Sequence, residues 1–412
     1  MESEGIHNSA FKVAFLSFFL VFCPPVFAQH VITMLPHWNA AQGEPIAFMR
    51  PHFVLHEVNL GSVPGPPSTA LTPAKIRHAY GFDQISNQGA KQVIGIVDAY
   101  DDPKAEADLG KFSEPFGLPA CTTANGCFRK IFSNGRQPAA NANWSVEISL
   151  DVQWAHAIAP QATIVLVETP SNSLSDLVGG VDVAVRNGAS VVSMSWTAYE
   201  FSSEAGLDNH FVSNGVTYFA ASGDNGTGAV YPAASPFVIG VGGTSLSLDS
   251  HGNYASESAW NGSGGGLSVY EHEPLFQEEL PIPNDSSGRR GAPDVAYNAN
   301  PATGYAVYDS YGINGAAGWF QVGGTSAAAP QWAALVAIAN SMRVAARKTS
   351  LVTAQSLLYT LDKSSPSDFH AVTQGTNGSC GTLCSALPGY DYVTGLGTPQ
   401  ASVLVAALVA QK

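Results

Sequence analysis

The stretch Gly323-Gly324-Thr325-Ser326-Ala327-Ala328-Ala329-Pro330, continued by Gln331-Trp332-Ala333-Ala334-Leu335-Val336-Ala337-Ile338-Ala339, decides how the chain is read. Two glycines permit a tight turn, and the small residues after Ser326 let a helix start against closely packed neighbours, with Ser326 in its first turn. A helix N-terminus presents unpaired N–H groups and partial positive charge, which suits a serine whose attack generates an oxyanion. A serine that merely starts a core helix would leave the same trace in a shorter string.

A serine nucleophile needs a base, usually a histidine. The helical segment Trp144-Ser145-Val146-Glu147-Ile148-Ser149-Leu150-Asp151-Val152-Gln153-Trp154-Ala155-His156-Ala157-Ile158-Ala159-Pro160 offers carboxylates instead. Glu147 and Asp151 are one helical turn apart and share a face, so their like charges repel and raise one pKa. The pair can then share a proton, and Glu147 stays a base toward Ser326 in acid, where imidazole would be protonated. The rest of the segment is apolar, unlike a solvated acidic face. His156 competes as base, but it lies nine residues beyond Glu147, roughly two and a half helical turns away.

The string Gly-Thr-Ser-x-x-x-Pro opening an apolar helix, with Glu147-x-x-x-Asp151 and Ile158-Ala159-Pro160, resembles the sedolisins, the serine-carboxyl peptidases of the subtilisin-like superfamily. The similarity runs from about Leu71 to the C-terminus. It implies a subtilisin-like α/β fold, a mostly parallel central sheet with helices on both faces, and proteins or peptides as substrates. Asp224, in Ser222-Gly223-Asp224-Asn225-Gly226, matches the family's oxyanion donor; an ionised Asp would repel an oxyanion, so it can help only when protonated. Ser195 and Trp196 fall where related enzymes let a peptide pair with a strand edge, although Trp196 could equally fill the core. Ser367-Asp368-Phe369-His370 and Leu387-Pro388-Gly389-Tyr390-Asp391 resemble the sedolisin calcium loop. The resemblance assigns one structural Ca2+ to the side chains of Asp368 and Asp391 and the carbonyls of Phe369, Leu387 and Gly389, with Leu387 standing where Gly is common. Sedolisins usually carry a long N-terminal prodomain; only about 40 residues separate Ala28 from Leu71.

The rest of the chain agrees with a secreted α/β enzyme. Gln92 to Val97, Ala162 to Glu168, Ala189 to Trp196, Val216 to Ala221 and Phe237 to Val241 are apolar, β-rich runs. Helical signals lie near Ala74 to Tyr80, Leu174 to Arg186 and Glu204 to Ser213. Continuous apolar strands between helices predict a parallel sheet covered on both faces, with functional residues where strands end. Gly262-Ser263-Gly264-Gly265-Gly266 reads as a flexible turn, because no Lys follows it in P-loop register.

Residues 1–28, with Lys12, an apolar run and Cys23-Pro24-Pro25-Val26-Phe27-Ala28, read as a secretory signal. Residues 29–70 read as an extension or linker, and 71–412 as the catalytic domain. After signal removal, Cys121, Cys127, Cys380 and Cys384 remain, and in an exported protein they suggest two local disulfides. Zinc is the rival, without histidines at supporting spacing. Asn-x-Ser/Thr sequons occur at Asn143, Asn225, Asn261, Asn284 and Asn377. A net charge of −14, from 32 acidic and 18 basic residues, argues against a nucleic-acid binder. Further expectations are a secreted (extracellular or periplasmic) monomer with no stable membrane association after signal cleavage. The competing readings are a neutral hydrolase using His156 and an exported binding protein on an inactive peptidase scaffold.

Overall fold

The computed structural model describes Met1 and residues 49–51, 53–56, 65–278, 287–352 and 354–411. The expected signal segment lies outside the described residues but for Met1. The organising element is an eight-stranded sheet. From one edge its strands run Tyr254–Ala259, Ile239–Leu248, Thr217–Ala221, Val191–Met194, Val93–Ala99, Thr163–Thr169 and Phe128–Phe132, and Val295–Asn298 also pairs with Ile239–Leu248. All pairings are parallel except that of Tyr254–Ala259.

The sequence explains why the middle is parallel. Ile94, Ile96, Val97, Ile164, Val165, Leu166 and Val167 are all fully buried, as required of strands covered on both faces. Alternation along Val93–Ala99 assigns the faces. Gly95 and Val97 lie under the helix Leu174–Arg186, where a Cβ on Gly180 would come within 2.7 Å of Thr169 and 2.8 Å of Val97. Asp98 therefore belongs to the other face, occupied by the helices Ala142–Ile158 and Thr325–Ala345, which pack on each other.

Connectivity decides where the site falls. From Val93–Ala99 the chain first builds Phe128–Phe132 and Thr163–Thr169 on one side, then crosses to Val191–Met194 on the other. The order thus reverses beside Val93–Ala99, and the crevice at the carboxyl ends of strands flanking such a reversal is where α/β sheets hold ligands.

Two expectations are corrected. The run Ala189 to Trp196 is two strands, Val191–Met194 and Trp196–Tyr199, which leave the chain in different sheets and meet at Ser195. The segment expected to be helical at Glu204 to Ser213 is a 3-10 run, Glu204–Phe211, wound around a buried Glu204 that accepts from the Phe201 amide at 2.7 Å. Part of the expected linker pairs with the body of the molecule, Arg50–Pro51 with Trp196–Tyr199 and Val54–His56 with Ala316–Gly323. Both cysteine pairs, Cys121–Cys127 and Cys380–Cys384, are disulfides as expected.

Helix-to-sheet contact at Gly180 leaves no room for a side chain. Gly180→Val is expected to lower unfolding stability by about 1–3 kcal/mol through overpacking, read as a shift in denaturant midpoint at constant slope.

Candidate active site

Ser326 is the second residue of the helix Thr325–Ala345 and is fully buried. The entry turn depends on its glycines. Gly324 has φ 110°, a conformation side chains rarely adopt, and its amide donates to the Ala299 carbonyl at 2.6 Å. A Cβ on Gly323 would overlap Pro301. The Ser326 hydroxyl donates to the Ser195 carbonyl at 3.4 Å, and the Ser195 hydroxyl reaches back to the Ser326 carbonyl at 3.3 Å.

The helix Ala142–Ile158 brings the carboxylates. Asn141 caps it, accepting from the amides of Asn143 and Trp144. Apolar residues occupy every side, so every residue from Trp144 to Ile158 is buried. Trp154 and Gln153 donate to the carbonyls of Ala306 and Tyr308, tying the helix to the strand Tyr305–Ile313. Glu147 and Asp151 consequently have no exposed surface.

A third acid joins them. Asp98, near the end of the strand Val93–Ala99, is fully buried, and its charge acts on both Glu147 and Asp151. Burial, then repulsion from Asp151 and Asp98, pushes Glu147 well above the usual carboxylate range, while the nearby Ser326 hydroxyl favours its charged form. Burial and Asp98 push Asp151 well up, against one hydrogen bond from the Ser195 hydroxyl at 2.9 Å. Burial pushes Asp98 up to about 8. Both oxygens of Asp98, both of Glu147 and Oδ2 of Asp151 have no donor among the described residues. Ionised carboxylates can only accept, so five undonated buried oxygens in one cluster favour the protonated forms of these acids.

Asp98 escaped the sequence reading, whose strand stopped at Val97. The available signal was an acid at the carboxyl end of a wholly apolar parallel strand.

Asp224 closes the other side. Its Oδ1 accepts from both the amide and the hydroxyl of Thr325 at 2.8 Å, leaving Oδ2 as the atom able to carry a proton. Burial pushes its pKa to about 7 against those two bonds, although the side chain keeps some solvent contact. The glycine loop expected to be a flexible turn packs here. Gly264 donates to Gly223 and accepts from the Ser222 hydroxyl, and a Cβ on Gly264 would overlap the Ser222 carbonyl oxygen.

His156 is placed elsewhere. Its Nε2 bonds the Pro119 carbonyl at 2.9 Å, and burial lowers its pKa. It sits beside Cys121 and Cys127, a neighbour that sequence spacing did not reveal, but the disulfide consumes both thiolates a zinc ion would need.

The subtilase family model matches residues 139–381. Kumamolisin of Bacillus sp. (strain MN-32) is 34% identical over 406 residues, 89% of this chain and 69% of that protein. The chain belongs to the sedolisin family of subtilases. It is a serine-type peptidase, which retires the reading as an inactive scaffold. Sedolisin of Pseudomonas sp. (strain 101) is 28% identical over 345 residues, 75% of this chain and 56% of that protein. The solved structure of Pseudomonas sedolisin, a serine-carboxyl proteinase complexed with two molecules of pseudo-iodotyrostatin, matches with a TM-score of 0.70 and 27% identity, covering 82% of this chain and 97% of that one.

Within this sedolisin-family cleft, Ser195 and Trp196 are turned inward. Ser195 binds Asp151, and Trp196, fully buried, donates to the Val97 carbonyl at 2.8 Å, so its indole fills core while its backbone lies in the ladder opposite Pro51.

The expected calcium turn holds its carboxylates as follows. Asp391 Oδ1 accepts from the amides of Val393 and Thr394, and Oδ2 from the Leu387 amide and the Thr394 hydroxyl. Asp368 is buried, with Oδ2 undonated. Carboxylates that ligate cations are themselves hydrogen-bonded, and an orphaned buried oxygen suits a cation. These residues fit. Of the sequons, Asn377 is buried, its Nδ2 donating to the Ser263 carbonyl at 2.9 Å.

An acid whose folded pKa lies above its unfolded value stabilises the fold fully below the unfolded value, and that stability is lost as pH rises through the folded one. For Asp98 the window runs from about 4, the unfolded value, to about 8. Between these limits Tm is expected to fall with rising pH, by on the order of 2–5 °C more in the wild type than in Asp98→Asn, read by calorimetry at both ends of the window.

Proposed function

We propose that the chain is a secreted, acid-active endopeptidase whose base is a carboxylate. The observation that supports this is the cluster of undonated, mutually repelling acid groups beside the Ser326 hydroxyl. Ser326 Oγ attacks the peptide carbonyl while Glu147 takes its proton. Asp151, held by Ser195, orients Glu147 and exchanges the proton with it. Glu147 then returns the proton to the leaving amine, and water attacks the acyl-enzyme by the same route.

The negative oxygen formed in each attack lies at the N-terminus of the serine helix and meets Asp224, which donates when protonated. With Asp224 near 7, the donor form is populated below neutrality and lost above it. Loss of the Asp224 proton above neutrality would remove that donor and set the alkaline limit of activity. His156, engaged with Pro119, does not favour the neutral mechanism.

Residues 71–412 form the catalytic unit on this reading, acting as a monomer on proteins or peptides. Two disulfides agree with export, and among the described residues no helix is long and apolar enough to cross a membrane. One structural calcium ion would be held by Asp368, Asp391 and the carbonyls of Phe369, Leu387 and Gly389. It would supply rigidity to the segment packed behind the site.

Hydrolysis of unfolded casein is expected to rise as pH falls from 8 toward 4. Ser326→Ala and Glu147→Gln should lose about 10³-fold or more in kcat, and Asp224→Asn about 10²-fold with a flatter alkaline limb. Activity that rises with pH in the wild type would refute the carboxylate mechanism. Calcium at a hundredfold excess over its Kd should raise stability by about 2.7 kcal/mol, an effect read as the Tm shift on adding EGTA and absent in Asp368→Ala.

A further inference from the structure

The C-terminal end of the helix Ala142–Ile158 carries a group that the peptidase chemistry does not use. His156 is fully buried. Its Nε2 spends the ring N–H on the Pro119 carbonyl at 2.9 Å, which leaves the lone pair on Nδ1, and Nδ1 has no partner among the described residues. A ring nitrogen of His156 and the sulfurs of Cys121 and Cys127 lie within 4.8 Å of one another. Burial lowers the histidine pKa, so the imidazole is neutral and able to ligate.

The loop that brings the sulfurs together is held by more than the bond between them. Asn125 Oδ1 accepts from the amides of Thr122 and Cys127 at 3.1 and 3.0 Å, and its Nδ2 donates to the Ala120 carbonyl at 2.7 Å. The Phe128 amide donates to the Thr122 carbonyl at 3.2 Å. Glu106, on the helix Ala105–Phe116, accepts from the amide and the hydroxyl of Thr123 at 2.9 and 3.0 Å. None of these bonds uses a sulfur atom, so opening the disulfide leaves two thiols beside one imidazole lone pair.

Thiolate and imidazole donors select zinc or copper(I) over harder cations. Two thiolates and a neutral imidazole carry a double negative charge, which a divalent zinc ion cancels and a copper(I) ion does not; an uncancelled buried charge is costly. Cys127 is only half-buried, which admits water as a fourth ligand. Histidine ligands of metals commonly donate their other N–H to a backbone carbonyl, as His156 does to Pro119. A histidine placed only for packing has no reason to leave a buried nitrogen unbonded. Among the described residues, Cys380 and Cys384 are joined by no such third ligand.

We propose that the reduced chain binds one zinc ion through Cys121, Cys127 and Nδ1 of His156, and that oxidation exchanges this ion for the disulfide. In the exchange, a small-molecule disulfide takes two electrons from the two zinc-bound thiolates. Its own sulfur–sulfur bond breaks and the Cys121–Cys127 bond forms, while two small-molecule thiolates leave and the zinc ion is released to solvent. Either closure pins the 121–127 loop. Only the ion also pins His156, and with it the end of the helix that bears Glu147 and Asp151.

The test uses the full chain, reduced with a phosphine and kept free of oxygen, with the oxidised chain alongside. Cobalt(II) is the spectroscopic probe and zinc its competitor. The reduced chain is expected to show thiolate-to-cobalt charge transfer that zinc abolishes, and the oxidised chain none; no charge transfer in the reduced chain would overturn the proposal. The double variant Cys380→Ser, Cys384→Ser should keep the bands and Cys127→Ser should lose them, and the opposite pattern would place the ion elsewhere and overturn the site. His156→Gln, which can still donate to Pro119, should weaken zinc binding by at least about tenfold; unchanged affinity would overturn the role of the histidine. Adding oxidised glutathione to the zinc-loaded chain should release one zinc ion for each Cys121–Cys127 bond formed, counted with a metal indicator and by peptide mass. Zinc retained after that bond has formed would overturn the exchange. If reduction unfolds the chain, zinc should restore its circular dichroism, and a chain that stays unfolded with zinc would overturn the proposal.

Discussion

The whole arrangement depends on desolvation. Three carboxyl groups are held away from water with too few donors to satisfy them, and an unpaired buried charge is among the least favourable features a fold can carry. The chain tolerates them because each can take up a proton. Taking up protons therefore favours the native structure itself.

The sheet supplies the geometry. Asp98 ends a strand at the reversal of strand order, Ser195 sits where the neighbouring strand leaves for another sheet, and Asp224 follows the strand after that. Two buried helices then deliver Glu147 and Asp151 from one direction and Ser326 from another. No single element holds more than two of these groups, so the site exists only once the sheet and both helices have assembled. Rigid scaffolding of this kind is what fixed electrostatic catalysis requires.

Much of this was legible in the residues. Continuous apolar runs such as Ile164-Val165-Leu166-Val167 announced strands with both faces covered, and the Gly-Gly-Thr-Ser string announced a serine at a helix start. The Glu147 and Asp151 spacing was readable because a helix imposes it. What could not be read came from contacts distant in sequence. Asp98 looks like any strand-ending acid until the helix Ala142–Ile158 is laid over it. Trp196 was ambiguous because core and cleft meet within one residue at Ser195. Phe128–Phe132 carries Arg129 and Lys130, which hide an edge strand from an apolar pattern; Lys130 pairs there with Asp101 and Glu168. The pairing of residues 49–56 depends on strand edges that no local pattern encodes.

The buried Asn377 constrains how such a chain can be made. Its side-chain nitrogen is the atom a glycosylating compartment would modify, and it is already committed to the loop behind Asp224. A glycan added during synthesis would meet that loop before it closed and would hold it open. The native packing is thus compatible only with a biosynthetic route that leaves this asparagine bare, which makes the choice of expression host a structural matter.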